Sequence, residues 1–181
     1  MLSIFLDLID EQSDRELFEE LYNKYEKPMW YLAYLILNDH HRAEDATQDT
    51  FFKIAIHIKK LRDKPPHKVR NYLLIAVRNR AFDILKKEQR LNYAGAEYFD
   101  NLCDESSNRD FENLETDALV IKILKQLPKN FTDVLFMHLV LGMKNNEIAN
   151  VLNISYGSAT TRIFRGKKMF AELYEKEFNK R

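Results

Sequence analysis

Cysteine, glycine and proline are scarce in this chain, and each scarcity removes a class of structure. Its 181 residues include one cysteine, Cys103, so neither an internal disulfide nor a cysteine-based zinc site can form. A lone thiol suits a reducing compartment. There are 4 glycines and 4 prolines, and no alternating apolar and polar runs of β-branched residues, so a sheet is not expected. No run approaches the roughly 20 apolar residues of a membrane helix. The opening segment, MLSIFLDLIDEQ, is broken by Asp7 and lacks both a basic start and a small-residue cleavage site. It does not read as a signal peptide. The expectation is an all-α, cytoplasmic protein.

Net charge is also missing, with 28 bases balancing 28 acids. The balance is segregated along the chain. Residues 1–52 set four bases against twelve acids, and residues 53–90 twelve bases against three. Residues 91–118 hold one base and eight acids, and residues 119–181 eleven bases and five acids. Two basic blocks separated by an acidic one suggest two polyanion-binding surfaces.

Helical periodicity begins at Ser13, with Leu17, Phe18, Leu21 and Tyr25, then Met29, Leu32, Ala33 and Ile36. Pro28 can start a new helix or kink one. A second helix should start near Asp39 and carry Ala43, Ala46, Thr50, Phe51, Ile54 and Ile58. The prolines of RDKPPHK mark a basic loop, and a third helix should run from Val69 to about Gln89. Around that third helix Leu73, Val77, Ala81 and Ile84 make an apolar stripe, with Asn79, Asp83, Lys86 and Arg90 opposite. Tyr72 and Ile75 fall on the outer side, and an aromatic beside cations is what unstacked bases and phosphates need. Packing on another helix would explain them equally well.

Residues 92–117 lack periodicity and are acidic, which reads as a linker. Its charge could lie over a basic groove as a decoy polyanion. The organisation expected is a domain over 1–91, this linker, and a helix-turn-helix domain over 118–181. In the last part, LVIKILKQL is followed by Pro128 and FTDVLFMHLVLGM, with Gly142 as a C-cap.

The stretch NNEIANVLNISYGSATTRIFRGKK has the requirements of a helix-turn-helix. Ala149 is the small residue at the crossing and Asn153 can adopt a left-handed conformation. Ser155 is placed to cap the second helix, and Ile148, Leu152, Ile154, Ala159 and Ile163 form the apolar set. The second helix then exposes Tyr156, Ser158, Thr160, Thr161, Arg165 and Lys168, with Arg162 on its flank. Hydroxyls and arginine suit base edges and phosphates in a major groove.

These residues resemble region 4 of bacterial extracytoplasmic-function sigma factors. Glu147, Ile148, Ala149, Leu152, Ser155, Gly157, Arg162 and Arg165 match, while Ala159 replaces the usual Val and Asn153 the usual Gly. Independently, RAEDATQDTFFKI resembles the family's region 2.2, and VRNYLLIAVRNRAFDILKKEQR its regions 2.3–2.4, through Ala76, Asn79, Asp83, Lys86 and Lys87. The two matches occur in the family's order.

The resemblance implies a protein without a catalytic step of its own. Its expected partners are core RNA polymerase, promoter DNA and an anti-sigma factor. Glu44, Asp45, Gln48 and Asp49 would meet polymerase, with Phe51 and Phe52 as apolar anchors. Arg62, Lys64, Lys68, Tyr72, Asn79, Asp83, Lys86, Lys87 and Arg90 would take the −10 element, the loop 62–68 helping to form a pocket for an extruded base. Ser155, Tyr156, Ser158, Thr160, Thr161, Arg162, Arg165 and Lys168 would enter the −35 major groove. No cofactor or metal is expected.

Two rival readings have discriminating features. A helix-turn-helix regulator acting without polymerase explains residues 119–181 but leaves AEDATQDTFF without a role. A small metal-dependent enzyme could use His40-His41 near Glu44-Asp45, since a helix brings positions i and i+4 together. That histidine pair reads more simply as a helix start with a solvated face, and His138 as a satisfied core histidine.

Overall fold

The computed structural model describes residues 1–94 and 118–179, with side chains over 1–87 and 119–179. Two compact units divide the chain. The first contains α1 (Leu2–Leu6), α2 (Gln12–Leu37), α3 (His40–Ile56), a 3-10 turn (Ile58–Lys60) and α4 (Pro66–Ala94). The second contains α5 (Ala118–Gln126), α6 (Lys129–Leu135), a π-helical turn (Phe136–Val140), α7 (Asn145–Leu152) and α8 (Tyr156–Phe178). Among the described residues there is no strand, and the fold is all-α as the composition implied. The same residues hold no helix long and apolar enough to cross a membrane.

In the first unit α2, α3 and α4 pack pairwise, and α1 lies against α2 and α3. The apolar positions of α2 line this core: Phe18, Leu21, Tyr25, Met29, Leu32 and Ala33 are buried. Pro28 neither ends nor restarts the helix, which runs through it for 26 residues. Burial of Tyr25, Met29 and all four residues Tyr31–Tyr34 outweighs the ~3 kcal/mol an interior proline costs. The helix stops at Asn38, which takes the left-handed conformation (φ 52°) and donates its backbone N–H to the Tyr34 carbonyl at 2.8 Å. Asp39 then caps α3, accepting from the Arg42 N–H at 2.9 Å.

An aromatic cluster holds α1, α2 and α3 together. Phe51 sits 4.8 Å from Tyr22, 5.9 Å from Phe18 and 6.4 Å from Phe5, ring centre to ring centre. The Tyr22 hydroxyl donates to Glu26 at 2.8 Å, and burial with that carboxylate nearby raises its pKa. The third helix starts earlier than the double proline suggested. Pro65 precedes it and Pro66 is its first residue, with Lys68 and Val69 donating back to the Pro65 carbonyl. A first-turn residue has no helical acceptor for its N–H, so proline loses nothing there.

In the second unit α8 packs on α5, α6 and α7. Thr132 is buried at the α5–α6 corner, its hydroxyl 3.2 Å from the carbonyls of both Leu124 and Leu127. Helix α6 widens into the π turn, where Leu141 donates to Phe136 five residues back, and Gly142 (φ 60°) ends it. His138 is half-buried, with Nδ1 3.4 Å from the Met143 carbonyl. At Gly166 α8 presses directly on α6: a Cβ there would lie 2.9 Å from Leu135 Cδ1.

Candidate nucleic-acid interface

The turn between α7 and α8 is built as its sequence requires. Asn153 holds φ 53° and ψ 49°, and Ile154 donates back to the Ala149 carbonyl at 3.0 Å. Ser155 Oγ accepts the Ser158 N–H at 3.1 Å, capping α8. Glu147 turns back to accept the Lys144 N–H at 2.9 Å, closing the first turn of α7. Ala149 and Ala159 are buried between the helices, and Ile148, Leu152 and Ile163 pack beneath them. Ile154 is only half-buried. Asn145 Nδ2 donates to Thr160 Oγ1 at 3.2 Å, a polar tie across the motif.

The outer side of α8 presents Tyr156, Ser158, Thr161, Arg165 and Lys168 to solvent, while Thr160 and Arg162 are half-buried. Two further residues share this side, Lys167 and Phe164, the latter 75% exposed. At 100° per residue Phe164 lies between Thr160 and Lys168, a position the sequence reading passed over. An aromatic flanked by threonine and lysine on a solvated face was the available signal. Among the described residues no acid pairs with Arg165, Lys167 or Lys168.

Helix α4 carries the other basic surface. Lys68, Tyr72, Asn79, Asp83, Lys86 and Lys87 are all exposed, and Tyr72, Asn79 and Lys86 recur every seven residues, one above another. From Lys68 to Lys86 the stripe is about 27 Å long at 1.5 Å per residue. Ile75 is half-buried, as is Ile84, so the apolar stripe is wider and shallower than its angles suggested. The Arg90 side chain lies outside the described residues, as does the stretch of the acidic linker beyond Ala94.

Arg62 and Lys64 are in the loop before α4. Arg62 is already engaged: its guanidinium reaches Glu11 Oε2 at 2.6 Å and Asp14 Oδ1 at 2.7 Å. Lys59 joins Glu11 at 2.7 Å. Hydrogen bonds from Lys59 and then Arg62 hold the Glu11 carboxyl down at about 2, and the two acids raise Arg62 in turn.

On α3, Asp45 and Phe52 are exposed, and Glu44, Gln48 and Asp49 half-buried. Gln48 Nε2 donates to Glu44 Oε1 at 3.0 Å, and Arg80 Nε of α4 to Asp49 Oδ2 at 2.7 Å. Phe51 corrects an expectation. It is fully buried in the aromatic cluster and cannot anchor a partner, because adjacent helical residues point about 100° apart. His40, His41 and Glu44 bring their donor atoms within 4.8 Å of one another.

Comparison with known proteins decides between the readings. The profile for sigma-70 region 2 matches residues 21–91, and that for sigma-70 region 4 matches residues 117–170. Together they span more than half of the chain. The chain belongs to the sigma-70 family. Among curated relatives, the ECF RNA polymerase sigma factor SigM of Bacillus subtilis is 22% identical over 89% of this chain and 97% of its own length. The ECF sigma factor SigW of the same organism is 24% identical, covering 87% and 89%. Among solved structures, the sigma factor RpoE of Bartonella quintana, in complex with the anti-sigma factor NepR, superposes with a TM-score of 0.68. It is 17% identical over 87% of this chain and 96% of that one, a likeness of fold. This is an extracytoplasmic-function sigma factor, a protein that joins core RNA polymerase and directs initiation at promoters. A regulator acting without polymerase would not need the region 2 match.

Proposed function

We propose that α4 reads and opens the −10 element, that α8 reads the −35 element, and that α3 docks on polymerase. The observation that carries this reading is the exposed stripe on α4, Lys68, Tyr72, Asn79, Asp83 and Lys86, inside the region 2 match. Cations along it hold phosphates, and Tyr72 offers a stacking face to a base leaving the duplex. Extrusion costs a few kcal/mol of unstacking, which such contacts offset. Lys64, Lys87 and Arg90 add positive charge at its ends, and Arg62 anchors the loop.

On α8, Ser155, Tyr156, Ser158, Thr160 and Thr161 supply short or hydroxyl-bearing groups for base edges. Arg162, Arg165 and Lys168 supply phosphate or guanine contacts. Phe164 adds an apolar tip of the kind that meets a thymine methyl group. The polymerase surface comprises Glu44, Asp45, Gln48, Asp49 and Phe52. Residues 1–91 and 118–181 act as the two reading domains, with residues 92–117 joining them. The protein works in the cytoplasm and leaves all bond-making to polymerase. An anti-sigma factor is a fitting partner, since RpoE of Bartonella quintana was solved bound to one.

Reconstituting the holoenzyme and selecting the DNA fragments it transcribes tests the whole reading. Selected fragments should share two motifs. Alanine at Asn79, Asp83 and Lys86 together should abolish promoter opening while co-elution with polymerase persists. Unchanged opening would remove α4 from −10 recognition.

A further inference from the structure

The start of α3 assembles a donor set of which only Glu44 also belongs to the proposed polymerase surface; the two histidines have no part in DNA or polymerase binding. His40 and His41 are its first two residues and Glu44 lies one turn on. One imidazole nitrogen from each histidine and one carboxylate oxygen all lie within 4.8 Å of one another. Two of the three groups are held from behind. The Glu44 carboxylate accepts Gln48 Nε2 at 3.0 Å through Oε1, leaving Oε2 for another partner. The His40 ring meets the Trp30 indole edge-on, centres 5.0 Å apart at 63°, and Trp30 is itself stacked 5.0 Å from Tyr34. His41 is exposed, its ring centre 5.7 Å from that of His40.

We propose that His40, His41 and Glu44 bind a divalent transition-metal ion of the zinc and nickel class. Two imidazoles and one carboxylate match the donor preference of these ions, whereas magnesium and calcium prefer oxygen alone. Three protein ligands leave a fourth position to water. Donors around a tetrahedral ion with bonds of about 2.0–2.1 Å sit about 3.4 Å apart. The present spacing, up to 4.8 Å, closes to that on binding, and the exposed His41 imidazole has room to turn toward the ion. Outer partners such as Gln48 and Trp30 orient metal ligands and raise their affinity. The helix N-terminus carries a partial positive charge that opposes a cation. Arg42 pairs with the capping Asp39 at 3.6 Å, and Asp45 beside Glu44 supplies the negative charge that offsets that opposition.

The chain's single tryptophan makes the test direct, because Trp30 is packed against a proposed ligand. Nickel(II) added to the full-length protein in chelator-treated buffer should quench Trp30 emission with saturation at one equivalent. Zinc(II) should reverse the quench by competition, and magnesium(II) should not. His41→Ala and Glu44→Gln should each weaken the apparent affinity by at least about tenfold, while His57→Ala leaves it unchanged. His41 is exposed and Gln keeps the shape of Glu44, so both variants should retain the wild-type far-ultraviolet circular dichroism. A quench that never saturates, that magnesium reverses, or that is the same in both variants overturns the site.

Discussion

Helices α3 and α8 use the same device in different surroundings. Each places two apolar residues side by side in sequence, about 100° apart around the helix, one in the core and one in solvent. On α3 Phe51 is fully buried and Phe52 is 47% exposed; on α8 Ile163 is 4% exposed and Phe164 is 75% exposed. The surroundings differ in how charge is handled. In the first unit Arg62, Lys59 and Arg80 rest on Asp14, Glu11 and Asp49. In the second, Arg165, Lys167 and Lys168 have no such acid among the described residues. The first unit therefore uses part of its positive charge to hold itself together, whereas the cations of α8 are left without an acid of their own among the described residues.

Truncating the buried member of each pair should have the largest effect. Phe51→Ala should cost about 3–5 kcal/mol and Ile163→Ala about 2–5 kcal/mol in urea unfolding. Phe52→Ala and Phe164→Ala should stay within about 0.5 kcal/mol. Phe52→Ala should instead weaken co-elution with polymerase. A stability loss at Phe52 equal to that at Phe51 would end the parallel.

Next in size is the first unit's ion network. Asp14→Ala should destabilise by about 1–3 kcal/mol, since it leaves Arg62 without its buried partner. The measurement is the urea midpoint.

Salt dependence then separates the two units. Each phosphate contact adds about 0.9 to the slope of log affinity against log salt. Arg165→Ala and Lys168→Ala should each flatten the slope for a −35 duplex by about that amount. Arg62→Ala should barely alter the slope for promoter DNA bound by the holoenzyme, because its charge is already met by Glu11 and Asp14. Equal changes would show that the ion pairs open when DNA arrives.

The smallest effect concerns pH. The folded-state pKa of Glu11 is lowered from 4.5 to about 2, so its contribution is full above pH 4.5 and disappears as pH falls through 2. The difference in urea midpoint between wild type and Glu11→Gln should be constant down to pH 4.5 and shrink below it. A difference that grew on acidification would contradict the assignment.

Local signals in the sequence were sufficient wherever one residue decides a local conformation. Asn153, Ser155 and Gly142 each act through their own backbone or their nearest neighbours, and all three behave as read. Pro66 and Pro28 were harder, because a proline's effect depends on its position in a helix, which tertiary packing sets. Phe51 illustrates a genuine ambiguity: it belonged both to the apolar stripe of α3 and to a family motif, and only packing against Phe18 and Tyr22 decides. The bond from Arg62 to Asp14 spans 48 positions, and no local pattern announces it. The donor cluster at His40, His41 and Glu44 was visible as helical i, i+4 spacing, although adjacency in sequence does not fix where two imidazoles point.

The ion network also makes the start of the chain a working part. Glu11 lies between α1 and α2 and clasps two cations beside the loop that leads into α4. Trimming residues 1–11 to improve expression would therefore remove more than a short apolar helix. It would free Lys59 and half of Arg62's partners, and the shortened protein should bind DNA of any sequence more readily than its parent. Promoter selectivity measured on such a version would understate that of the full chain.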